Sequence, residues 1–175
     1  ASTITQQLLK NSVFTDWVYE TSLIEKLQRK FQEQYLALEL EKRLTKEEIL
    51  EDYLNTINLG AGTYGVQPAS YRYFTKHVSE LTRSECTVLA CITQHPTRYN
   101  PITNPDANAS RREIILEYMV EQGYITEEER QEALADNVYD RIQATDSSYE
   151  SSSVYSYYED ALIEQVLEDL QTELG

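Results

Sequence analysis

Apolar residues recur at spacings of three and four over most of the chain, and strand-like alternation is nearly absent, so the pattern predicts a mainly α-helical protein. The polar positions mark where helices start. Thr3 with Gln6, Thr45 with Glu48, Thr82 with Glu85 and Thr126 with Glu129 each place a hydroxyl three residues before an amide or carboxylate, the spacing of a capping box. Asn104 followed by Pro105 reads as a further start, of the cap-then-proline kind. Together these signals predict helices near 3–10, 22–44, 46–56, 68–75, 83–92, 105–122 and 127–135.

The longest predicted helix has two contrasting faces. Leu27, Phe31, Tyr35 and Leu38 follow at spacings of four, four and three and form the expected core stripe. Lys26, Arg29, Lys30 and Glu33 line the opposite side. On spacing alone that line is a solvated surface with an Arg29–Glu33 ion pair, contributing ~0.3–0.5 kcal/mol. Thr3, Gln6, Gln7, Lys10 and Asn11 read, on the same basis, as a cap followed by an exposed amide face.

Two loops interrupt the helical pattern. "NLGAGTYGVQP", residues 58 to 68, holds three of the five glycines, and its Pro68 belongs in the first turn of the next helix. No Gly-Lys-Ser/Thr follows those glycines, which excludes a P-loop. "HPTRYNPITNP", residues 95 to 105, holds three of the four prolines. From Thr145 to Tyr158 the chain turns to Ser and Tyr without an apolar period, as a linker does. Leu162, Val166, Leu170 and Leu174 then recur every four residues and predict a last amphipathic helix.

The 175 residues, 41% hydrophobic, are enough for a real core. A net charge of −15 argues against a nucleic acid partner, whose phosphates need a broad basic face. No apolar run is long enough to span a bilayer. Cys86 and Cys91, five apart on one predicted helix, point to different faces and suit neither a disulfide nor a metal site; both are expected to be buried free thiols.

Longer strings say more than spacings. "STITQQLLKN", then "RKFQEQYLALELEKRLTKEEILEDYLNTINLGAGTYGVQPASYRYF", then "LTRSECTVLACITQHPTRYNP" together resemble family 51 glycosyltransferases. These are the peptidoglycan polymerases of class A penicillin-binding proteins and monofunctional transglycosylases. The resemblance covers about residues 1 to 142. It implies a lysozyme-like helical glycosyltransferase fold, incomplete here at its N-terminus, working at the extracytoplasmic face of the bacterial cell membrane. The implied substrates are lipid II, an undecaprenyl-pyrophosphoryl disaccharide-pentapeptide, and the growing glycan strand.

In such a reaction the 4-hydroxyl of incoming lipid II attacks the anomeric carbon of the glycan, with inversion, and pyrophosphate-lipid departs. The leaving group is already good, so the site must chiefly neutralise its charge, which is work for Lys and Arg near a carboxylate or a divalent metal. By motif position, Thr3, Gln7, Lys10 and Asn11 are implied to contact substrate, with Lys10 stabilising charge. Arg29 and Lys30 are implied to face pyrophosphate. Glu33 matches the family's second essential glutamate, which organises the leaving group or its metal, Mg or Mn; no organic cofactor is implied. Gly60 and Gly65 are expected to serve the backbone turn, and Arg98 and Tyr99 to position rather than react.

One family feature has no counterpart. Family members carry a Glu-Asp-x-x-Phe-x-x-His motif a few tens of residues before the Ser-Thr-x-Thr-Gln-Gln string, and its Glu is the proposed base for the 4-hydroxyl. The motif occurs nowhere in residues 1–175, and losing a general base costs about 100- to 10,000-fold. The expectation is therefore an active longer protein, with an upstream membrane anchor, and an inactive isolated piece. Residues 143–175 resemble the linker into a transpeptidase domain, although no Ser-x-x-Lys or Lys-Thr-Gly occurs here. Two other readings stay open: a non-catalytic helical module that binds lipid II or a partner, and a lysozyme-like lytic enzyme.

Overall fold

The computed structural model describes residues 2–14 and 22–142. The predicted linker and last amphipathic helix lie outside the described residues. Seven α-helices are described: α1 (Ile4–Ser12), α2 (Leu23–Leu40), α3 (Lys46–Thr56), α4 (Val66–Phe74), α5 (Arg83–Ile92), α6 (Pro105–Glu121) and α7 (Glu127–Ala135). Two single 3-10 turns, Val78–Glu80 and Val138–Arg141, complete the regular elements. The chain divides into two compact units, Ala1–Asn58 and Leu59–Gly175.

All four predicted capping boxes are formed, and Ser22 with Glu25 makes another at the start of α2. Asn104 differs. Its side chain does not cap α6 but donates to Thr97 O at 3.2 Å, and Pro105 at the first helical position supplies the start. Helix α2 ends four residues before the expected boundary. The amides of Arg43 and Leu44 both return to Leu40 O, and Thr45 must be extended to cap α3. Helix α4 begins two residues early, because Gly65 at φ 90° can act as its N-cap, where a side chain would be strained. Pro68 then falls in the first turn, where no amide partner is lost.

In the first unit α1 packs against both α2 and α3. Thr5, Leu8 and Leu9 of α1 are buried, as are Ile49 and Tyr53 of α3. Helix α2 reverses the expected orientation. Its buried residues are Glu33 and Ala37, while Leu27, Phe31, Tyr35 and Leu38 are exposed, Phe31 at 70%. The predicted core stripe is thus an outward face of this unit, and of the predicted solvated line Glu33 is buried and Arg29 half-buried, while Lys26 and Lys30 stay exposed. Ala37 has no side chain beyond Cβ, which lets α1 approach α2 along that line.

The second unit is organised by α5, where Ser84, Glu85, Thr87, Val88, Leu89, Cys91 and Ile92 are buried. Polar side chains tie its neighbours to it. Asn108 of α6 donates to Val88 O and Tyr99 O at 3.2 and 2.7 Å, and Arg112 donates to Thr87 Oγ1 at 3.1 Å and to Ala133 O. Glu85 accepts from Lys76 at 2.8 Å and from Arg141 at 3.0 Å. These bonds and that of the Thr82 amide hold its carboxyl below the usual range although burial pushes it up. Cys91 is buried as expected, whereas Cys86 is exposed, so only one thiol is a core residue. Leu116, Ile125 and Ala133 close a smaller apolar cluster between α6 and α7.

Candidate active site

The N-terminal turn of α1 spends two of its polar groups on itself. Thr3 Oγ1 accepts from the Gln6 amide at 3.2 Å, and Gln6 Oε1 accepts from the Thr3 amide at 3.1 Å. Gln7 Nε2 reaches Ser2 O at 3.5 Å. Thr3, Gln7 and Lys10 follow at spacings of four and three, so they share one line of α1, away from the buried Leu8 and Leu9.

Glu33 is the centre of the site. It is 0% exposed, and its two oxygens are divided between two cations: Arg29 pairs with Oε1, and Lys30 Nζ donates to Oε2 at 2.6 Å. The Arg29 side chain is 12% exposed and that of Lys30 48%, so one cation is packed away and the other reaches solvent. Lys30 Nζ also donates to Ser2 Oγ at 3.1 Å, across 28 residues. Burial holds the Lys10 ammonium below the usual lysine range; Glu33 opposes this, and Lys30 and Arg29 reinforce it. Three cations and one carboxylate therefore share a partly desolvated face, where an oxyanion would be attracted more strongly than in water.

Of the residues singled out in the sequence, Lys10, Arg29, Lys30 and Glu33 are brought together, and Gln7 is linked to them through Ser2. Thr3 and Asn11 are exposed. Ser2, which binds Lys30, and the pair Thr5 and Glu41, joined at 2.7 Å, escaped the sequence reading. Only the positions of Ser2 and Thr5 inside the "STITQQ" string could have marked them. Glu33 alone, with both oxygens facing cations, is a poor donor set for Mg or Mn, which prefer several oxygen ligands. No group of three His, Cys, Asp or Glu that could hold a metal occurs among the described residues.

From Leu59 onward the two loops belong to the second unit and have structural work there. A Cβ on Gly60, at φ +76°, would lie 3.2 Å from both Pro96 O and the Tyr73 hydroxyl, so the glycine permits a close backbone approach. The Tyr73 hydroxyl donates to Leu59 O at 2.8 Å. Arg98 and Arg111 lie 5.5 and 5.4 Å from the ring centre of Tyr99, joining the loop to α6 by cation–π contacts.

The buried carboxylate held between two cations lies inside the stretch that the comparison with known proteins matches. Residues 1–120 match the family model described as Transglycosylase, and the chain belongs to that family. It is 42% identical to penicillin-binding protein 1A of Clostridium perfringens (strain 13 / Type A) over 97% of this chain and 25% of that protein. Penicillin-binding protein 1A of Streptococcus oralis is 35% identical over 100% and 26%. The crystal structure of penicillin-binding protein 1A from Haemophilus influenzae superposes with a TM-score of 0.52 at 32% identity, over 75% of this chain and 18% of that one. The chain thus spans about a quarter of the length of these curated relatives. The helical glycosyltransferase fold expected from the sequence is borne out.

Proposed function

We propose that this chain carries the pyrophosphate-binding part of a peptidoglycan glycosyltransferase, which polymerises lipid II into β-1,4 glycan strands in bacterial cell-wall synthesis. The observation that carries the reading is the buried Glu33 held between Arg29 and Lys30, with the desolvated Lys10 in their field. In the reaction, the 4-hydroxyl oxygen of lipid II bonds to the anomeric carbon of the growing glycan. The bond from that carbon to pyrophosphate breaks, undecaprenyl pyrophosphate leaves with the electron pair, and the hydroxyl proton passes to a base.

The cations act on the departing charge. A preorganised donor aimed at a developing anion contributes about 100- to 1,000-fold in rate. Glu33 keeps Arg29 and Lys30 in one arrangement, so the site is not reorganised when phosphate oxygens arrive. Thr3, Gln7 and Asn11, on the solvent side of α1, suit hydrogen bonds to sugar and phosphate oxygens. Glu33 is engaged by two cations and offers no ready acceptor for the 4-hydroxyl proton, so residues 1–175 by themselves bind lipid II without extending it. A lytic reaction would need a carboxylic acid free to reach the leaving oxygen, and both Glu33 oxygens are taken by Arg29 and Lys30.

The relatives' name, penicillin-binding protein 1A, and the quarter of their length that the chain spans support a longer protein; a transpeptidase domain and action on the extracytoplasmic face of the membrane belong to the same proposal. The test is lipid II binding in detergent micelles by residues 1–175, with inorganic pyrophosphate as competitor. Wild type is expected to bind, and Arg29→Ala and Lys30→Ala to lose tenfold or more each. Lipid II binding that ignores both substitutions and pyrophosphate would overturn the reading.

A further inference from the structure

Helix α1 is held in the first unit by contacts of unequal precision. Burial of Leu8 and Leu9 is favourable but has no preferred direction, so it tolerates rotation of the helix. A hydrogen bond does not, since it weakens steeply as its angle closes. Thr5, 6% exposed, donates Oγ1 to Glu41 Oε1 at 2.7 Å across 36 residues. Lys30, Glu33, Ala37 and Glu41 follow at spacings of three, four and four, so Glu41 ends the same line of α2 that buries the candidate carboxylate.

Glu41 is also out of place by the rules of helix ends. It is the C-cap of α2, where the backbone carbonyls favour a cation, and the last turn contains none. An acid there works against helix stability, and the bond to Thr5 is what it gains. We infer that Thr5 and Glu41 are positioning residues for the anion site: their bond fixes the rotation of α1, and so keeps Lys10 beside the cluster of Arg29, Lys30 and Glu33. The inference rests on the pyrophosphate reading above for its function, but not for its geometry. Rotating α1 by a single residue, about 100°, would turn Lys10 away from that cluster. The lowered Lys10 titration, caused first by burial, fits a side chain held in against α2.

Two variants of the chain test it: Thr5→Val, which removes the donor at constant shape, and Glu41→Ala, which removes the acceptor at an exposed helix end and so leaves the fold intact. Two quantities are read: the NMR titration of Lys10 and the affinity for inorganic pyrophosphate. Both variants should raise the Lys10 titration toward that of an ordinary lysine and weaken pyrophosphate binding about tenfold, while Thr5→Ser keeps wild-type values. Glu41→Ala discriminates by sign. Removing a negative charge would strengthen anion binding if electrostatics alone acted, whereas loss of positioning weakens it. Unchanged Lys10 titration, or tighter pyrophosphate binding in Glu41→Ala, would overturn the inference. A Lys10 shift in protein whose wild type never binds pyrophosphate would leave the positioning intact and sink the functional reading instead.

Discussion

Replacing Glu33 by Gln separates a built site from a wet helix face. The isostere keeps the volume and one acceptor oxygen but deletes the charge that Arg29 and Lys30 share. For Arg29, 12% exposed, the lost partner is a hydrogen bond to a charged group, worth about 1.5–3 kcal/mol, and the guanidinium is left buried beside another cation. Lys30, 48% exposed, can turn to water, so its share is about 0–1 kcal/mol. The first unit should therefore lose about 1.5–4 kcal/mol. In a unit of this size each kcal/mol lowers the midpoint by about 4–8 °C. The assay is amide hydrogen exchange of α1 and α2, with thermal unfolding by circular dichroism and Lys26→Ala as the control for an exposed cation of the same helix. Faster exchange in α1 and α2 of Glu33→Gln alone, at low and high salt alike, is the expected result, since a buried pair is little screened. If Glu33→Gln matched Lys26→Ala, the carboxylate would be no more than the surface pair that its spacing first implied, worth a few tenths of a kcal/mol.

Three further outcomes follow from the exposure and charge of particular side chains. Phe31→Ser and Leu27→Ser should change stability by less than about 0.5 kcal/mol, because both side chains are already exposed, and should reduce binding of a hydrophobic dye. Ellman's reagent at pH 8 should modify one thiol per native chain and two in urea: Cys86 is exposed, whereas Cys91 is buried and pushed up to about 12 by that burial. Acid should loosen the second unit in a defined window. The Arg141 guanidinium holds the Asp136 carboxyl down at about 2. The stabilisation is complete above the unfolded carboxylate value, near 4, and is lost as pH falls through about 2. Asp136→Asn should flatten the pH dependence of thermal unfolding in that window.

Helix starts were legible because each capping box is a local agreement between two side chains and one turn of backbone. Thr3, Thr45, Thr82 and Thr126 needed no knowledge of what packs on them. Ends were less so: α2 stops at Leu40 because Thr45 must be extended to start α3, a constraint imposed by the next element and not by residues 41–44 themselves. Asn104 shows the converse, a good capping residue drawn away by a carbonyl seven residues back.

The face of α2 was misread for a physical reason that bears on function. An apolar stripe predicts the buried side of a helix only if the neighbours are apolar too. Helix α1 and the residues that lead into it instead bring Thr5, Ser2 and Lys10 to α2, and the surface that answers them is Lys30, Glu33, Ala37 and Glu41. Burying charge is costly unless it is paired and hydrogen-bonded, so a fold that does it here, while leaving Leu27, Phe31 and Tyr35 exposed in the same unit, is not arranged for the stability of this helix pair alone. The departure from ordinary amphipathic packing coincides with the residues that the family strings single out, and not with Lys26, which shares their spacing but carries no matching role. Local rules fail where chemistry has a competing claim on the residues. Within the described first unit, that place is the seam between α1 and α2.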